Sequence, residues 1–224
     1  MRPEKVEIMR PFGPSMARSK MPQELVDAFN TSADEVIKDK EELKRRDYSA
    51  NLVGKVQEEF SIPQEVFSKY QDFFNFTIEQ YLHWNDDFLN RQRPKDSVYN
   101  IHYLSGWFVR TFPGDFNPNH MHTGCDLSAV GYLKMPEDID EEWEEDYKDN
   151  YPCVGHIEFQ HGSPSLFNAH NQLVKPEVGD FYIFPAYLLH CVYPFKSKGE
   201  RRSFSFNTKL KLTINGKEIP DNAH

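Results

Sequence analysis

The sequence predicts a mainly β protein carrying a helical front part, and three observations lead there. Residues 22–95 are dominated by good helix formers with prolines at the starts of two segments. From residue 97 onward, short alternating segments follow one another between Pro, Gly and Asp turns. The length, 224 residues, suits one domain with a sizeable core, so 1–224 is expected to form a single unit.

Taken in order, "PQELVDAFNTSADEVIKDKEELKRR" opens on a proline and "IPQEVFSKYQDFFNFTIEQYLHWNDDFLN" carries Pro63 just inside its start, and two or three supporting helices are expected across 22–95, joined by "DYSANLVG". Val66, Tyr70, Phe73, Phe74, Ile78 and Tyr81 recur at three- and four-residue steps, a stripe for packing against a flat surface. The core of 97–212 then reads as strands: "SVYNIHYLSGWFVRTF", "LSAVGYLKM", "GHIEFQHG", "DFYIFPAYLLHCVYPF" and "RRSFSFNTKLKL". Many short strands of this kind close into a β-sandwich or small barrel. Between two of them, residues 137–152 crowd like charges so densely that an exposed acidic loop is expected.

Charge and composition exclude several functions. Asp and Glu number 35 against 26 Lys and Arg, a net charge of −9, which argues against a broad grip on nucleic acid. No run of 18 apolar residues is present and the start lacks the apolar core of a secretory signal, so a soluble cytoplasmic protein with no membrane partner is expected. Cys125, Cys153 and Cys191 are odd in number and lack CxxC spacing, as fits reduced thiols.

The chemistry concentrates in three places. In "NPNHMHTGCD", His120 and His122 sit two apart, so in an extended chain both imidazoles project to one side and make a chelating pair. His190 opens a strand after the proline break in "DFYIFPAYLLHCV" and can point into a barrel mouth as a third ligand. In "RRSFSFN", Arg201, Ser203, Ser205 and Asn207 share one face, while Arg202, Phe204 and Phe206 share the other. An inward Arg201 is costly to bury unpaired and implies an anionic partner, either a ligand carboxylate held bidentately or a carboxylate of the protein itself; the alternative is that Arg202 is the inward one.

The pieces "HMHTGCDLSAVGYLKMP", "VGDFYIFPAYLLHCVYP" and "ERRSFSFN" together resemble the non-haem iron(II), 2-oxoglutarate-dependent oxygenases, specifically their short bacterial and phage-type branch. That resemblance implies a double-stranded β-helix, a distorted jelly roll flanked by helices. It also implies iron(II), 2-oxoglutarate as cosubstrate and dioxygen, with hydroxylation of a substrate and release of succinate and carbon dioxide. By the same resemblance His120 and His190 are iron ligands, and Arg201 with Ser203 holds the distal carboxylate of 2-oxoglutarate. Ser128 and Tyr132 are placed to line that pocket.

One departure from the family pattern matters. A carboxylate usually stands two positions after the first histidine, and His122 occupies that place. Three sets of ligands follow: three histidines, two histidines completed by Asp126, or two histidines with water. Spacing favours His122, and charge balance favours Asp126. A metal-binding jelly roll without catalysis, or a cupin-like protein without 2-oxoglutarate, is the alternative function. The substrate itself carries no signature in the sequence.

Overall fold

A computed structural model describes residues 1–9, 13–94, 96–144, 152–166 and 169–219. In chain order the elements are β1 (Val6–Met9), β2 (Met16–Lys20), α1 (Gln23–Lys38), α2 (Lys40–Arg45), β3 (Glu58–Ser61), α3 (Gln64–Lys69) and α4 (Gln71–Phe88). There follow β4 (Ser97–Thr111), β5 (Asn117–His120), β6 (Leu127–Lys134), α5 (Ile139–Glu144), β7 (Ile157–Gln160), β8 (Asn171–Val174), β9 (Asp180–Pro185), β10 (Leu189–Val192), β11 (Arg201–Ile214) and β12 (Lys217–Glu218).

Two antiparallel sheets result. The larger runs β1-β2-β9-β6-β11-β4-β3, with β12 appended to β11, and the smaller runs β5-β10-β7-β8. Side chains alternate across the large sheet, so its central strands serve two cores. One register row places Phe60, Phe108, Phe204, Gly131 and Phe181 side by side on the helix-facing surface. Against that row pack Leu25, Phe29 and Ala33 of α1 and Phe73, Phe74 and Ile78 of α4, all fully buried. Phe29 meets Phe108 and Phe74 edge-on at 5.9 and 6.2 Å, the geometry aromatic quadrupoles favour. Gly131 is obligatory in that row, because a Cβ there would lie 2.3 Å from Cε1 of Phe204.

The opposite face of the large sheet meets the small one. Val130, Tyr132, Tyr182 and Phe184 pack on Ile157, Phe159 and Val174, forming the second core and leaving a cavity at one end. This is the jelly roll with flanking helices that the sequence and its resemblance predict.

Two details differ from expectation. Within 22–95, expected as helices and a joining turn, Glu58–Ser61 forms a strand that pairs with β4 in the register Phe60 to Phe108. Local propensity gave no hint of it, since "EEFS" becomes a strand only because a partner 46 or more residues away offers its edge. Within 137–152, expected as an exposed loop, Ile139–Glu144 is helical with Ile139 and Glu142 buried. The Glu142 carboxylate accepts from Lys196 N at 2.8 Å and from Ser197 N and Oγ at 2.7 and 2.5 Å, so an acid expected in solvent ties α5 to a turn. Residues 145–151 of that stretch lie outside those described.

Candidate metal and cosubstrate site

His120 is the last residue of β5 and His190 lies in β10, and the two are direct partners across the small sheet. His122 follows in the crossing to β6, held by its own N–H, which donates to Ala186 O at 2.9 Å. One ring nitrogen from each of the three lies within 4.8 Å of the others, a spacing that suits one metal ion. Among the described residues this is the one such cluster of His, Cys, Asp or Glu.

The tautomers are prepared for that task. Nδ1 of His120 lies 2.7 Å from Pro118 O and Nδ1 of His190 lies 2.8 Å from Leu188 O. A carbonyl can only accept, so both Nδ1 atoms carry the proton and both Nε2 lone pairs are free. For His122 the partner is Asn207, whose amide nitrogen stands 3.2 Å from Nδ1 while its Oδ1 is buried without a hydrogen bond. Turning the amide over lets Oδ1 accept from Nδ1–H, which satisfies the orphaned oxygen and frees the third Nε2.

Burial lowers the basicity of all three rings. His190 is brought down to about 3 and His122 to about 4, by desolvation first and by the neighbouring imidazoles second; His120 is lowered by desolvation. All are therefore neutral near pH 7, the form that ligates metal. Phe184 packs edge-on against His190 at 5.0 Å, and Trp107 stacks on His122 at 5.9 Å, so the rings are fixed in orientation.

Asp126 is differently employed. One carboxylate oxygen accepts from Leu210 N at 2.6 Å and the other from Lys209 Nζ at 3.1 Å, tying the start of β6 to β11.

Arg201, Ser203, Ser128 and Tyr132 all line the same cavity as the three histidines. Arg201 is 3% exposed, yet its guanidinium meets no carboxylate among the described residues. Nε donates to Thr111 Oγ1 at 3.0 Å and Nη1 to Gly155 O at 2.9 Å, leaving Nη2 without a protein acceptor there. Arg202, by contrast, points to the helix side and pairs with Glu200 and Asp34, each at 2.7 Å. Ser203 lies directly opposite Tyr132 on β6, and the Ser128 hydroxyl is buried with no hydrogen-bond partner. A buried cation and a buried hydroxyl with unspent donors in one cavity are what an anionic ligand requires.

In the sequence Asn207 is legible only as a member of the polar face of β11, and Thr111, Gly155 and Trp107 carry no signal there. Thr111 and Gly155 could not be found that way, since they enter through register and loop packing.

Comparisons with known proteins bear on the family and the fold. Residues 105–207 match a family model described as "Putative 2OG-Fe(II) oxygenase", a span that contains the three histidines, Asp126, Ser128, Arg201 and Ser203. No curated protein matches the sequence. Among solved structures, a Pseudomonas putida prolyl-4-hydroxylase is similar with TM-score 0.51 and 15% identity over 87% of this chain and 91% of its own. SnoK, a non-heme alpha-ketoglutarate-dependent carbocyclase from nogalamycin biosynthesis, gives 0.56 and 11% over 92% and 83%. AviO1 of Streptomyces viridochromogenes gives 0.51 and 13% over 92% and 91%. At such identities these likenesses speak to the fold. Among the described residues, no helix is long and apolar enough to cross a membrane.

Proposed function

We propose that this chain is an iron(II)- and 2-oxoglutarate-dependent oxygenase in which His120, His122 and His190 hold the iron while Arg201, Ser203 and Ser128 receive the cosubstrate. The observation that carries the proposal is the buried Arg201 guanidinium, unpaired among the described residues, in the cavity of the three imidazoles. A purely structural metal site has no use for it. Three histidines are taken in preference to a set with Asp126, whose carboxylate already serves Lys209 and Leu210.

When bound, iron(II) with 2-oxoglutarate would supply a hydroxylation in which dioxygen is the oxidant: one oxygen atom goes to the substrate and the other to succinate, with carbon dioxide released. The protein's own part is placement. Arg201 fixes the distal carboxylate in a planar, two-point grip, and Ser128 and Ser203 add hydroxyl donors. Pro118 O, Leu188 O and Asn207 hold the imidazole tautomers, and Trp107, Phe159 and Phe184 wall the rings off from water. The whole chain works as one oxygenase domain, and a cytoplasmic setting agrees with three cysteines outside any disulfide.

Anaerobic titration of iron(II) and then 2-oxoglutarate tests the assignment. The visible band of the ternary complex and one iron per chain are expected, and both should fall away in His190→Ala. Full iron loading in all three single histidine variants, or no 2-oxoglutarate affinity in the iron-loaded protein, would overturn it.

A further inference from the structure

β3 brings a second charged group to the cavity. Side chains alternate along Glu58–Ser61: Glu58 pairs with Arg110 and Phe60 packs on Phe108, both toward the helices. Glu59 therefore faces the other way, and it lines the cavity together with Leu52, Val53, Trp107 and Val109. The residue is 8% exposed, and among the described residues its carboxyl makes no hydrogen bond and no ion pair. Val109 and Trp107 beside it on β4 are apolar, and neither the polar groups elsewhere in the cavity nor Lys40 and Lys44, which share a second hollow with it, bond to its carboxyl, so the cost of desolvating the acid is not offset by a direct partner.

The placement relates it to the proposed iron and cosubstrate positions. Glu59 is paired with Val109, and Val109 is paired with Ser203, so the carboxyl stands two strands from the β11 face that carries Arg201, roughly 10 Å by strand spacing. Trp107, diagonal to Glu59 across β3 and β4, stacks on His122. Cosubstrate carboxylates are drawn to Arg201 and repelled by a second acid, so Glu59 faces the space left for the other reactant.

We propose that Glu59 is the specificity-determining residue of the cavity and that the substrate carries a protonated amine or guanidinium which this carboxyl receives. The inference rests on the oxygenase reading of the same cavity. A cation entering would pair with a carboxyl that is otherwise a liability, and an anionic substrate would meet like charge in a poorly solvated place. Burial, and secondarily Asp47, raises the Glu59 carboxyl to about 7, so the acid is only part ionised when alone and becomes fully ionised beside a cation. The net charge of −9 acts in the same sense at longer range.

The experiment uses the full chain loaded anaerobically with iron(II) and 2-oxoglutarate. The probes are N-acetyl-lysinamide and N-acetyl-argininamide, with N-acetyl-norleucinamide and N-acetyl-citrullinamide as neutral counterparts of similar shape. Binding is read from the change in the visible band of the complex and from the shift in melting temperature. At least one cationic probe should bind ten-fold or more tightly than its neutral counterpart. Glu59→Gln should abolish that preference while leaving 2-oxoglutarate affinity within two-fold. Glu59→Leu should melt no lower than the wild type, because no protein partner is lost. Equal response to cationic and neutral probes, or a preference that survives Glu59→Gln, overturns the inference, as does a sharp loss of stability in both variants. Absence of 2-oxoglutarate binding in every form would instead refute the oxygenase reading beneath it.

Discussion

Replacing Arg201 by methionine separates a cosubstrate anchor from a structural cation. In the structure the guanidinium is 3% exposed, gives two hydrogen bonds to neutral acceptors and has no carboxylate partner among the described residues. Two charge-assisted bonds to an incoming carboxylate are worth about 3–6 kcal/mol together, so the 2-oxoglutarate Kd should rise by a factor on the order of 100 to 10,000. Stability should move the other way. Removing a buried cation that lacks an anion relieves a desolvation cost of several kcal/mol, against about 1 kcal/mol for each neutral hydrogen bond lost. The cosubstrate-free variant should therefore melt at or above the wild-type temperature, and saturating 2-oxoglutarate, worth about 2.7 kcal/mol to the wild type at one hundred times Kd, should no longer raise it. Anaerobic titration of the iron complex and thermal melts with and without 2-oxoglutarate measure both quantities. An Arg201→Met protein that melts far below the wild type and binds 2-oxoglutarate unchanged would show the residue to be part of the scaffold, and the cosubstrate assignment would fall.

Asn207→Leu removes the acceptor for His122 Nδ1–H and should weaken iron binding by about 10- to 100-fold with little change in fold, as measured by competition with a chelator. Asp126→Asn should keep one iron per chain, because its carboxylate serves Lys209 and Leu210; loss of iron in that variant would restore the ligand set with Asp126. Metal-free protein should lose stability in acid. The depressed folded-state values of His122 and His190 mean that the unfolded chain takes up protons below about pH 6.5 while the folded one resists until about 4 and 3, so stability is present above 6.5 and falls as pH drops. For His190 the loss by pH 5 is roughly 2 kcal/mol, with less from the more open His122, and His190→Gln should flatten the profile of melting temperature against pH. Gly131→Ala would drive a methyl into Phe204 and should cost about 1–3 kcal/mol in urea unfolding.

What could be read from the residues alone follows from periodicity. Phe73, Phe74, Ile78 and Tyr81 announce the buried stripe of α4 through helical spacing, and Arg201, Ser203 and Ser205 announce the cavity face of β11 through alternation. The His120–His122 pair, His190 and the flanking family-like segments point to the oxygenase chemistry because ligand type and short-range spacing are written in the chain. Long-range partnership is not so written. That His120 lies opposite His190, that "EEFS" becomes β3, that Asp126 turns to Lys209 and Leu210, and that Asn207 reaches His122 are all decided by pairings between segments tens of residues apart. The same holds for Glu59. Its sequence neighbours make it look like one more acid on a solvated surface, and only the edge pairing with β4 turns it into the cavity, because a strand's two faces are defined by the sheet it joins.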